Sequence, residues 1–338
     1  MVQEPAKRES SDFAPLLAVN DLVIRISIEG GDSVTAVRGI SFSIAAGESL
    51  ALVGESGCGK SMTALSLTGL LPRNGRVVQG TAFWSGRDLL ALPADALRRV
   101  RGRDIGMVFQ DPTSSLNPVL TIGQQLTEGM REHRRIPGWA RLAKAIELLQ
   151  LVGIPDPETR LRSYPHEFSG GQRQRILIAM AIACQPRLLV ADEPTTALDA
   201  TIQAQIVELL KGLQKRLGMA ILWITHDLAL VAGLVDRVAV MYAGLIVEQA
   251  PVRDLFNRPR HPYTLGLLNS MPQTGVGLQA TAALKFIPGT PPDLRATTLG
   301  CSFAPRCSMV LDRCRTEQPA RVAVAAGHES ACFRAGEL

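Results

Sequence analysis

The sequence lacks most features of secreted, membrane-spanning or nucleic-acid-binding chains. No stretch of its 338 residues approaches the ~18 consecutive apolar residues of a membrane-spanning helix. Residues 1–10 are polar and include both charge signs, so they lack the apolar core of a signal peptide. The net charge is only +5, and no basic block is interleaved with aromatic residues. These absences favour a cytosolic chain, or one peripheral to the cytosolic side of a membrane, with no nucleic-acid partner.

No internal repeat with a period of ~20–50 residues is visible, and strand and helix patterns alternate instead, which predicts an α/β core. Alternating apolar residues predict antiparallel strands over 16–28 and 34–44, ahead of a buried strand at 49–53. Helical patterns cover 228–235 and, as an all-helical insert, 120–152. The apolar face expected in that insert consists of Leu142, Ala145, Ile146, Leu148, Leu149 and Leu151.

A glycine-rich loop follows the buried strand at 49–53 and leads into a helix that begins near Lys60. Glycines allow a tight turn that aims several N–H groups at one point, and the helix dipole adds positive potential there. In such a loop Lys60 would neutralise the outer phosphates, and the Ser61 hydroxyl would bind Mg²⁺. The strand, loop and helix therefore predict a nucleoside triphosphate site, which would also include Met62. The loop residues are Gly54, Glu55, Ser56, Gly57, Cys58, Gly59, Lys60 and Ser61, which fit the pattern G-x-x-x-x-G-K-[ST].

An acidic pair, Asp192 and Glu193, follows a short apolar strand pattern at 188–191. A carboxylate at the carboxyl end of a parallel strand beside a phosphate loop can hold Mg²⁺, usually through water. The next carboxylate would point toward the γ-phosphate, where it can orient or deprotonate a water molecule. We therefore expect Asp192 to be the metal-binding residue and Glu193 to be the catalytic one.

A second anion-binding turn consists of Ser169, Gly170, Gly171 and Gln172, which open an apolar helix. Ser169 is a good N-cap residue, and the free N–H groups of the first helical turn can bind phosphate. The turn has no lysine, so it cannot form a complete phosphate site by itself. It needs a partner surface that brings the phosphate to it.

With these motifs in this order, residues 16 to about 250 resemble an ATP-binding-cassette (ABC) ATPase. The resemblance implies a mixed sheet around the phosphate-loop helix, an antiparallel β subdomain and a helical subdomain at about 112–180. It also implies a head-to-tail dimer, in which ATP lies between the phosphate loop of one subunit and the 169–172 signature turn of the other. One small departure is Phe168, which precedes the turn where the family usually has Leu.

The resemblance also assigns roles to single residues. Glu193 is implied to be the catalytic base, Gln110 of the Q-loop to reach Mg²⁺ and water, and His226 of the switch to contact the γ-phosphate. Residues 197–199 match the D-loop, with Asp199 at the nucleotide. The family often stacks adenine on an aromatic residue, but residues 20–40 contain no Phe, Tyr or Trp. The corresponding position is Ile26 or Ile28, which predicts weaker stacking on the base.

The C-terminal part resembles the extension of oligopeptide and dipeptide import ATPases, a group that also serves nickel uptake. The matching segments are His-Pro-Tyr-Thr at 261–264 and Ile-Pro-Gly at 287–289. We therefore expect a disordered lead at 1–15, a nucleotide-binding domain at 16–255 and this extension at 256–338.

The resemblance implies a peptide-importer ATPase on the cytosolic side of the cell membrane. Its partners would be a second ATPase subunit, two transmembrane permeases and an extracytoplasmic substrate-binding protein. Importers of nickel or other solutes and an exporter subunit are alternatives. A soluble ABC ATPase of DNA repair or translation is disfavoured, since neither a long coiled-coil insert nor a second cassette is present.

Four of the six cysteines occur in the last 38 residues of the chain, with the spacing C-x5-C-x6-C-x17-C. In a cytosolic protein such a group favours metal over disulfides. Zinc ribbons usually contain C-x2-C pairs, which are absent, so a [4Fe–4S] cluster suits the spacing at least as well. The resemblance implies such a cluster, while zinc, a mixed set with His328, and idle thiols stay open. The residues are Cys301, Cys307, Cys314 and Cys332.

Overall fold

The computed structural model describes residues 14–28, 30–134, 136–196, 198–271, 286–295 and 299–338. The predicted disordered lead, 1–15, lies outside this part of the chain except for its last two residues. Ala197 of the expected D-loop also lies outside it. Among the described helices, none combines the length and the apolar character needed to cross a bilayer.

The N-terminal strands form a four-stranded antiparallel sheet, in the order β2-β1-β4-β5. Apolar and polar residues alternate along the first strand, so that Leu22 and Ile24 are fully buried beneath the sheet. The two predicted N-terminal strands are thus present and paired with each other. The four strands are β1 (Leu17–Ser27), β2 (Ser33–Ile44), β4 (Gly75–Trp84) and β5 (Arg87–Asp88).

The second sheet has eight strands, in the order β11-β12-β10-β9-β3-β8-β7-β6. Its strands β6, β7, β8, β3 and β9 run parallel, and the remaining pairs are antiparallel. Every residue of β3, β7 and β8 is buried, as expected for parallel strands covered on both faces. The strands are β3 (Ser49–Val53), β6 (Ile105–Val108), β7 (Leu188–Asp192), β8 (Ala220–Thr225), β9 (Arg237–Tyr242), β10 (Leu245–Pro251), β11 (Val322–Ala325) and β12 (His328–Ser330).

The helices cover the parallel strands, and an all-helical insert, α3 to α7, lies between β6 and β7. The described helices are α1 (Lys60–Leu67), α2 (Ala94–Val100), α3 (Pro112–Ser115), α4 (Ile122–Gly129), α5 (Gly138–Leu151), α6 (Pro157–Arg160), α7 (Gly170–Ile182), α8 (Ala200–Leu217), α9 (Leu228–Val231), α10 (Val252–Asn257) and α11 (Pro262–Asn269).

The helical pattern over 120–152 corresponds to α4, a π-helical turn at Met130–Arg134, and α5. The predicted apolar face of α5 is wrong at Leu142, whose side chain is 53% exposed. Burial on this helix begins at Ala145, because its first turns extend beyond the part that packs against the neighbouring helices. A second correction concerns the helix expected over 228–235, which ends at Val231. The backbone leaves the helical conformation at Ala232, where ψ is 114°, and Gly233 adopts a positive φ of 79°.

The C-terminal residues pack directly on the core. Strand β12 pairs with β10, and β11 pairs with β12, so the C-terminal residues add two strands to the large sheet. Helix α11 begins after His261, whose Nδ1 accepts the N–H of Tyr263 at 3.1 Å. The ring of Tyr263 packs between Tyr242 of β9 and Phe303, with centroid distances of 4.6 and 5.3 Å. This aromatic cluster brings the extension to the end of β3, where the phosphate loop begins.

Candidate nucleotide-binding site

The phosphate loop joins the buried strand β3 to helix α1, as the sequence predicts. Its glycines are required because the loop passes very close to neighbouring backbone atoms. A Cβ atom on Gly54 would lie 2.1 Å from the carbonyl oxygen of Met241, and Gly59 has a positive φ of 107°. The backbone of the loop can therefore curve tightly in front of the helix N-terminus, where its N–H groups form an anion-binding concavity.

Lys60 is bound back onto its own loop. Its Nζ atom donates to the carbonyl oxygens of Gly54 at 2.7 Å and of Glu55 at 3.0 Å, and its side chain is buried. The sulfur of Cys58 lies 3.9 Å from the same Nζ atom. The ammonium group is therefore held beside the concavity, where it can transfer from backbone oxygens to phosphate oxygens.

Ser61 and Asp192 meet beside the loop. The Ser61 hydroxyl donates to Oδ1 of Asp192 at 3.0 Å, linking the start of α1 to the end of β7. Burial raises the pKa of Asp192, and the charge of Glu193 adds to this rise, while the Ser61 hydrogen bond and Lys60 oppose it. Oxygen ligands of this kind are the ones that Mg²⁺ prefers. The donor set therefore fits a magnesium ion, which Ser61 and Asp192 would hold and which would supply positive charge to the outer phosphates.

Three polar side chains surround the carboxylate of Glu193. Gln110 Nε2 donates to Oε2 at 3.2 Å, Thr196 Oγ1 donates to the same oxygen at 2.8 Å, and Nδ1 of His226 lies 3.3 Å from Oε1. Glu193 itself has a positive φ of 46°, uncommon for a residue with a side chain. Tertiary folding thus brings together the three residues that the sequence assigns to catalysis, and adds Thr196, which sequence reasoning missed.

A cavity of about 360 Å³ opens above the loop and extends to this carboxylate. One side is polar and includes Lys60, Ser61, Gln110 and Glu193, whereas the other side is aliphatic. Ile26 belongs to that aliphatic wall, whereas Ile28 is not among the described residues that line the cavity. The described lining residues are Ile26, Val34, Ala36, Ser56, Gly57, Gly59, Lys60, Ser61, Met62, Gln110, Glu193 and Leu294.

The signature turn caps its own helix. The Ser169 hydroxyl accepts the N–H of Gln172 at 3.3 Å, and Gln172 Oε1 accepts the N–H of Ser169 at 3.0 Å. Gly171 lies close to α8, because a Cβ there would be 2.9 Å from Ile202. Among the described residues that line the cavity, none belongs to 169–172. The predicted signature residues, Gly170 included, are thus not brought to the phosphate loop within one chain.

Asp199 also serves a helix terminus. Its Oδ1 accepts the N–H of Ile202 at 3.0 Å and caps α8. In the described part of the chain Asp199 is not among the residues that line the cavity. As for the signature turn, its predicted contact with nucleotide is therefore not made within one chain.

The outer side of the phosphate loop contacts the C-terminal extension. The carboxylate of Glu55 forms a bidentate pair with Arg306, at 2.7 and 2.9 Å, so its side chain is directed away from the cavity. The Glu55 N–H donates to the Tyr263 hydroxyl at 3.0 Å. The sequence assigned Glu55 to the nucleotide, but neither Arg306 nor Tyr263 lies in a motif that indicates a nucleotide contact.

The four C-terminal cysteines are unpaired. Backbone N–H groups donate to the sulfurs of Cys307, Cys314 and Cys332, each at 3.4 Å. Burial, together with the charge of the neighbouring thiolates, raises the pKa of Cys332 to about 11 and also raises the pKa of Cys301.

These thiols do not form a metal-binding arrangement. Within the described residues, no group of three or more His, Cys, Asp or Glu side chains could hold a metal ion. His328 is paired with Glu248 at 2.7 Å, which removes it from a mixed ligand set. Sulfur donors that accept N–H groups suit an iron–sulfur cluster chemically. The positions of the side chains do not form its coordination site, and the cluster prediction is not confirmed.

Comparison with known proteins identifies the family. A family model described as ABC transporter matches residues 37–196. A second model, described as the C-terminal region of oligopeptide/dipeptide transporters, matches residues 247–314.

Two relatives and two solved structures illustrate the similarity. A probable peptide ABC transporter ATP-binding protein of Sinorhizobium fredii is 52% identical over 96% of each chain. The dipeptide transport ATP-binding protein of Bacillus subtilis is 47% identical over 94% of each chain. A dimeric ATP-binding cassette in a post-hydrolysis state with ADP and phosphate has a TM-score of 0.63 and 27% identity, over 70% of this chain and 99% of its own. The cassette of a Clostridium perfringens ABC transporter complex has a TM-score of 0.61 and 28% identity, over 72% and 90%.

The fold and the site are those of an ABC-type ATPase, an enzyme that binds ATP with Mg²⁺ and hydrolyses it. Within that class, the chain belongs to the family of oligopeptide/dipeptide ABC transporter ATP-binding proteins. The predicted fold class and the predicted family are both confirmed.

Proposed function

We propose that this chain is the ATP-hydrolysing subunit of an ABC importer for di- and oligopeptides, on the cytosolic side of the cell membrane. The observation that supports it best is the phosphate loop with Glu193, Gln110 and His226 at one cavity, in a chain whose extension matches the oligopeptide/dipeptide model. Relatives named for peptide and dipeptide transport match nearly their whole length.

The residues of the cavity divide the chemistry between them. The triphosphate enters the concavity of the loop, and Lys60 moves from the carbonyl oxygens of Gly54 and Glu55 to the outer phosphates. Ser61 and Asp192, with Gln110, would hold Mg²⁺, which neutralises charge on the phosphates when bound. Glu193 accepts a proton from the attacking water, while Gln110 and Thr196 hold its carboxylate in position. His226, at the end of β8, contacts the γ-phosphate.

One chain contains two incomplete halves of such a site. The phosphate loop has the lysine but no signature residues beside it, and the turn at 169–172 has helix N–H groups but no lysine. A head-to-tail dimer brings the two halves together around ATP. Binding of ATP then closes the dimer and hydrolysis reopens it. The second ATPase subunit is a similar chain or another copy of this one.

A groove beside the Q-loop is suited to the permeases. It has a volume of about 260 Å³ and lies between the core and the helical insert. Leu70 and Phe109, on its rim, are 39% and 37% exposed. We infer that a cytoplasmic helix of one permease lies here, next to Gln110, and that the second ATPase subunit receives the other permease, so that closure of the dimer moves the permeases. A substrate-binding protein outside the cell would deliver the peptide.

The importer is tested in cells that lack the chromosomal copy of this chain. We expect loss of uptake of a labelled tripeptide, restored by the wild-type chain but not by Lys60→Ala. Glu208→Gln, on the exposed face of α8, is the control that restores uptake fully. Normal peptide uptake together with loss of nickel uptake would favour the nickel alternative and contradict the peptide proposal.

We also propose that the four C-terminal cysteines, which do not form a coordination site in the arrangement described above, rearrange to bind a [4Fe–4S] cluster in the extension. Support comes from the four sulfur donors, three of which accept backbone N–H groups. Anaerobically purified complex should be brown and contain iron and acid-labile sulfide, and Cys314→Ser should lose both, whereas Cys184→Ala should not. A colourless, iron-free wild-type complex with normal folding would overturn this assignment.

A further inference from the structure

The C-terminal extension contacts the phosphate loop at one peptide unit, which joins Gly54 to Glu55. The carbonyl oxygen of this unit accepts Lys60 Nζ at 2.7 Å, and its N–H donates to the Tyr263 hydroxyl at 3.0 Å. The extension therefore fixes, from outside, the same peptide group that holds the catalytic lysine inside the loop. A rotation of this peptide would alter both contacts together.

Arg306 fixes the side chain of the same residue. Its guanidinium forms two hydrogen bonds to the Glu55 carboxylate, at 2.7 and 2.9 Å, and the two side chains are only 5% and 26% exposed. The fork geometry holds the carboxylate in one orientation, which a lysine could not do. The hydrogen bonds to Glu55 raise the pKa of Arg306 further above its usual value, so the guanidinium stays charged.

Both residues of the extension are rigidly mounted. Tyr263 is fully buried among Tyr242 and Phe303, and Arg306 also donates to the carbonyl oxygen of Pro288 at 2.9 Å. Arg306 ends a short helical turn, Ala304–Arg306, between two of the C-terminal cysteines. Because packed interiors have little free volume, a displacement of Tyr263 or Arg306 would also move Glu55 of the loop, which both residues contact.

The loop has little tolerance for such displacement. Gly54 approaches the backbone of Met241 so closely that no side chain fits, and the loop N–H groups must converge on one phosphate. The extension reaches the nucleotide cavity at a second place, since Leu294 is part of the cavity wall. The extension thus adjoins two parts of the ATP site, the phosphate loop and the wall of the cavity.

We propose that Arg306 and Tyr263 are positioning residues of the ATP site, which set the conformation of the phosphate loop through Glu55. They do not touch the reacting atoms. Their effect is to hold the Gly54–Glu55 peptide so that the loop is preorganised for the triphosphate. This inference rests on the proposed function only in assuming that ATP occupies this loop.

The test uses the complete transporter complex with four variants: Arg306→Gln, Arg306→Lys, Glu55→Gln, and Arg306→Gln combined with Glu55→Gln. We expect Arg306→Gln to raise the KM for ATP roughly tenfold or more, because a buried charge-assisted pair is lost, with a smaller change in kcat. Arg306→Lys should lower this raised KM only slightly, since a lysine cannot form the paired hydrogen bonds of the guanidinium to Glu55. The double variant should be no worse than Arg306→Gln alone, since both variants remove one interaction.

Arg321→Gln is the matched control. This arginine also lies in the extension and binds the core, with a 2.9 Å hydrogen bond to the carbonyl oxygen of Ser41 and a pair with Glu329, but it does not contact the loop. It should leave the KM for ATP unchanged. If Arg306→Gln fails to fold, Tyr263→Phe removes only the hydroxyl that binds the Glu55 N–H and should still raise the KM.

Two results would overturn the inference. One is an unchanged KM for ATP in both Arg306→Gln and Tyr263→Phe. The other is an equal loss of activity and melting temperature in Arg306→Gln and Arg321→Gln, which would make the contact merely structural. Failure of the proposed function looks different, because the wild-type complex would then hydrolyse ATP without taking up the labelled tripeptide.

Discussion

The Nδ1 atom of His226 lies 3.3 Å from Oε1 of Glu193, at the carboxyl ends of the neighbouring strands β8 and β7. Parallel pairing of these strands brings together two residues that are far apart in sequence. Loop residues at this edge of a parallel sheet are where α/β proteins bind their ligands. The contact therefore belongs to the catalytic edge of the sheet and not to its structural core.

Replacement of the catalytic carboxylate should separate ATP binding from hydrolysis. In Glu193→Gln we expect ATP turnover by the complex to fall by roughly a hundredfold or more, since a general base is lost. Binding of ATP should persist, because the phosphate loop is unchanged. Steady-state ATPase assays and equilibrium binding of a fluorescent ATP analogue measure the two effects. Glu208→Gln is the control, and normal turnover in Glu193→Gln would remove Glu193 from its role.

The Ser61 hydroxyl should determine the magnesium dependence of the site. Ser61→Ala removes the oxygen that lies 3.0 Å from Asp192, so the Mg²⁺ concentration for half-maximal ATPase activity should rise roughly tenfold. Ser61→Thr keeps a hydroxyl at the same position and should behave as wild type. A magnesium titration of ATPase activity at saturating ATP distinguishes the variants. An identical titration curve for Ser61→Ala and wild type would contradict the assignment.

An aromatic residue at position 26 should strengthen binding of the base. Ile26 is in the aliphatic wall of the cavity, where a tyrosine ring can stack on adenine. We expect Ile26→Tyr to bind ATP several-fold tighter, on the scale of about 1 kcal/mol for an aromatic pair. Ile28→Tyr, outside the cavity lining, is the control and should leave the affinity unchanged. Isothermal titration with Mg·ATP measures both, and equal affinities for the two variants would place the base elsewhere.

His261 should make the stability of the fold depend on pH. Burial lowers the pKa of His261 to about 3, against 6.5 for an exposed histidine. The unfolded chain therefore binds a proton below about pH 6.5 that the folded chain does not bind until near pH 3. Stability from this residue is complete above pH 6.5 and is lost as the pH falls toward 3.

The His261→Asn variant isolates this effect, since asparagine can accept the Tyr263 N–H as an N-cap and does not titrate. Between about pH 7.5 and about pH 5.5, the melting temperature of the wild type should fall further than that of His261→Asn. His166→Asn, an exposed change, should follow the wild type. Parallel declines in all three proteins would show that folding does not change the protonation of His261, and would contradict the prediction.

Local patterns in the sequence predict most of the strands and the phosphate loop because each depends on short-range rules. Gly54 and Gly59 are needed by the curve of one loop, and Ser169 and Gln172 cap the helix that follows them. The wrong predictions concern the burial of a side chain and the end of a helix, both of which depend on tertiary packing. Leu142 fits a helical apolar face but extends beyond its neighbours, and the helix after Leu228 ends before its pattern does.

The amino-acid sequence by itself determined the nucleotide chemistry, because G-x-x-x-x-G-K-[ST], the acidic pair and the signature turn are contiguous segments whose residue types specify their use. Only the tertiary structure decided which distant groups meet. It placed Ile26 rather than Ile28 at the cavity, set Thr196 against Glu193, and joined Glu55 to Arg306, 251 positions later in the chain. The physical reason is that such contacts depend on how strands and rings pack, and no local pattern of residues encodes a distance across the fold.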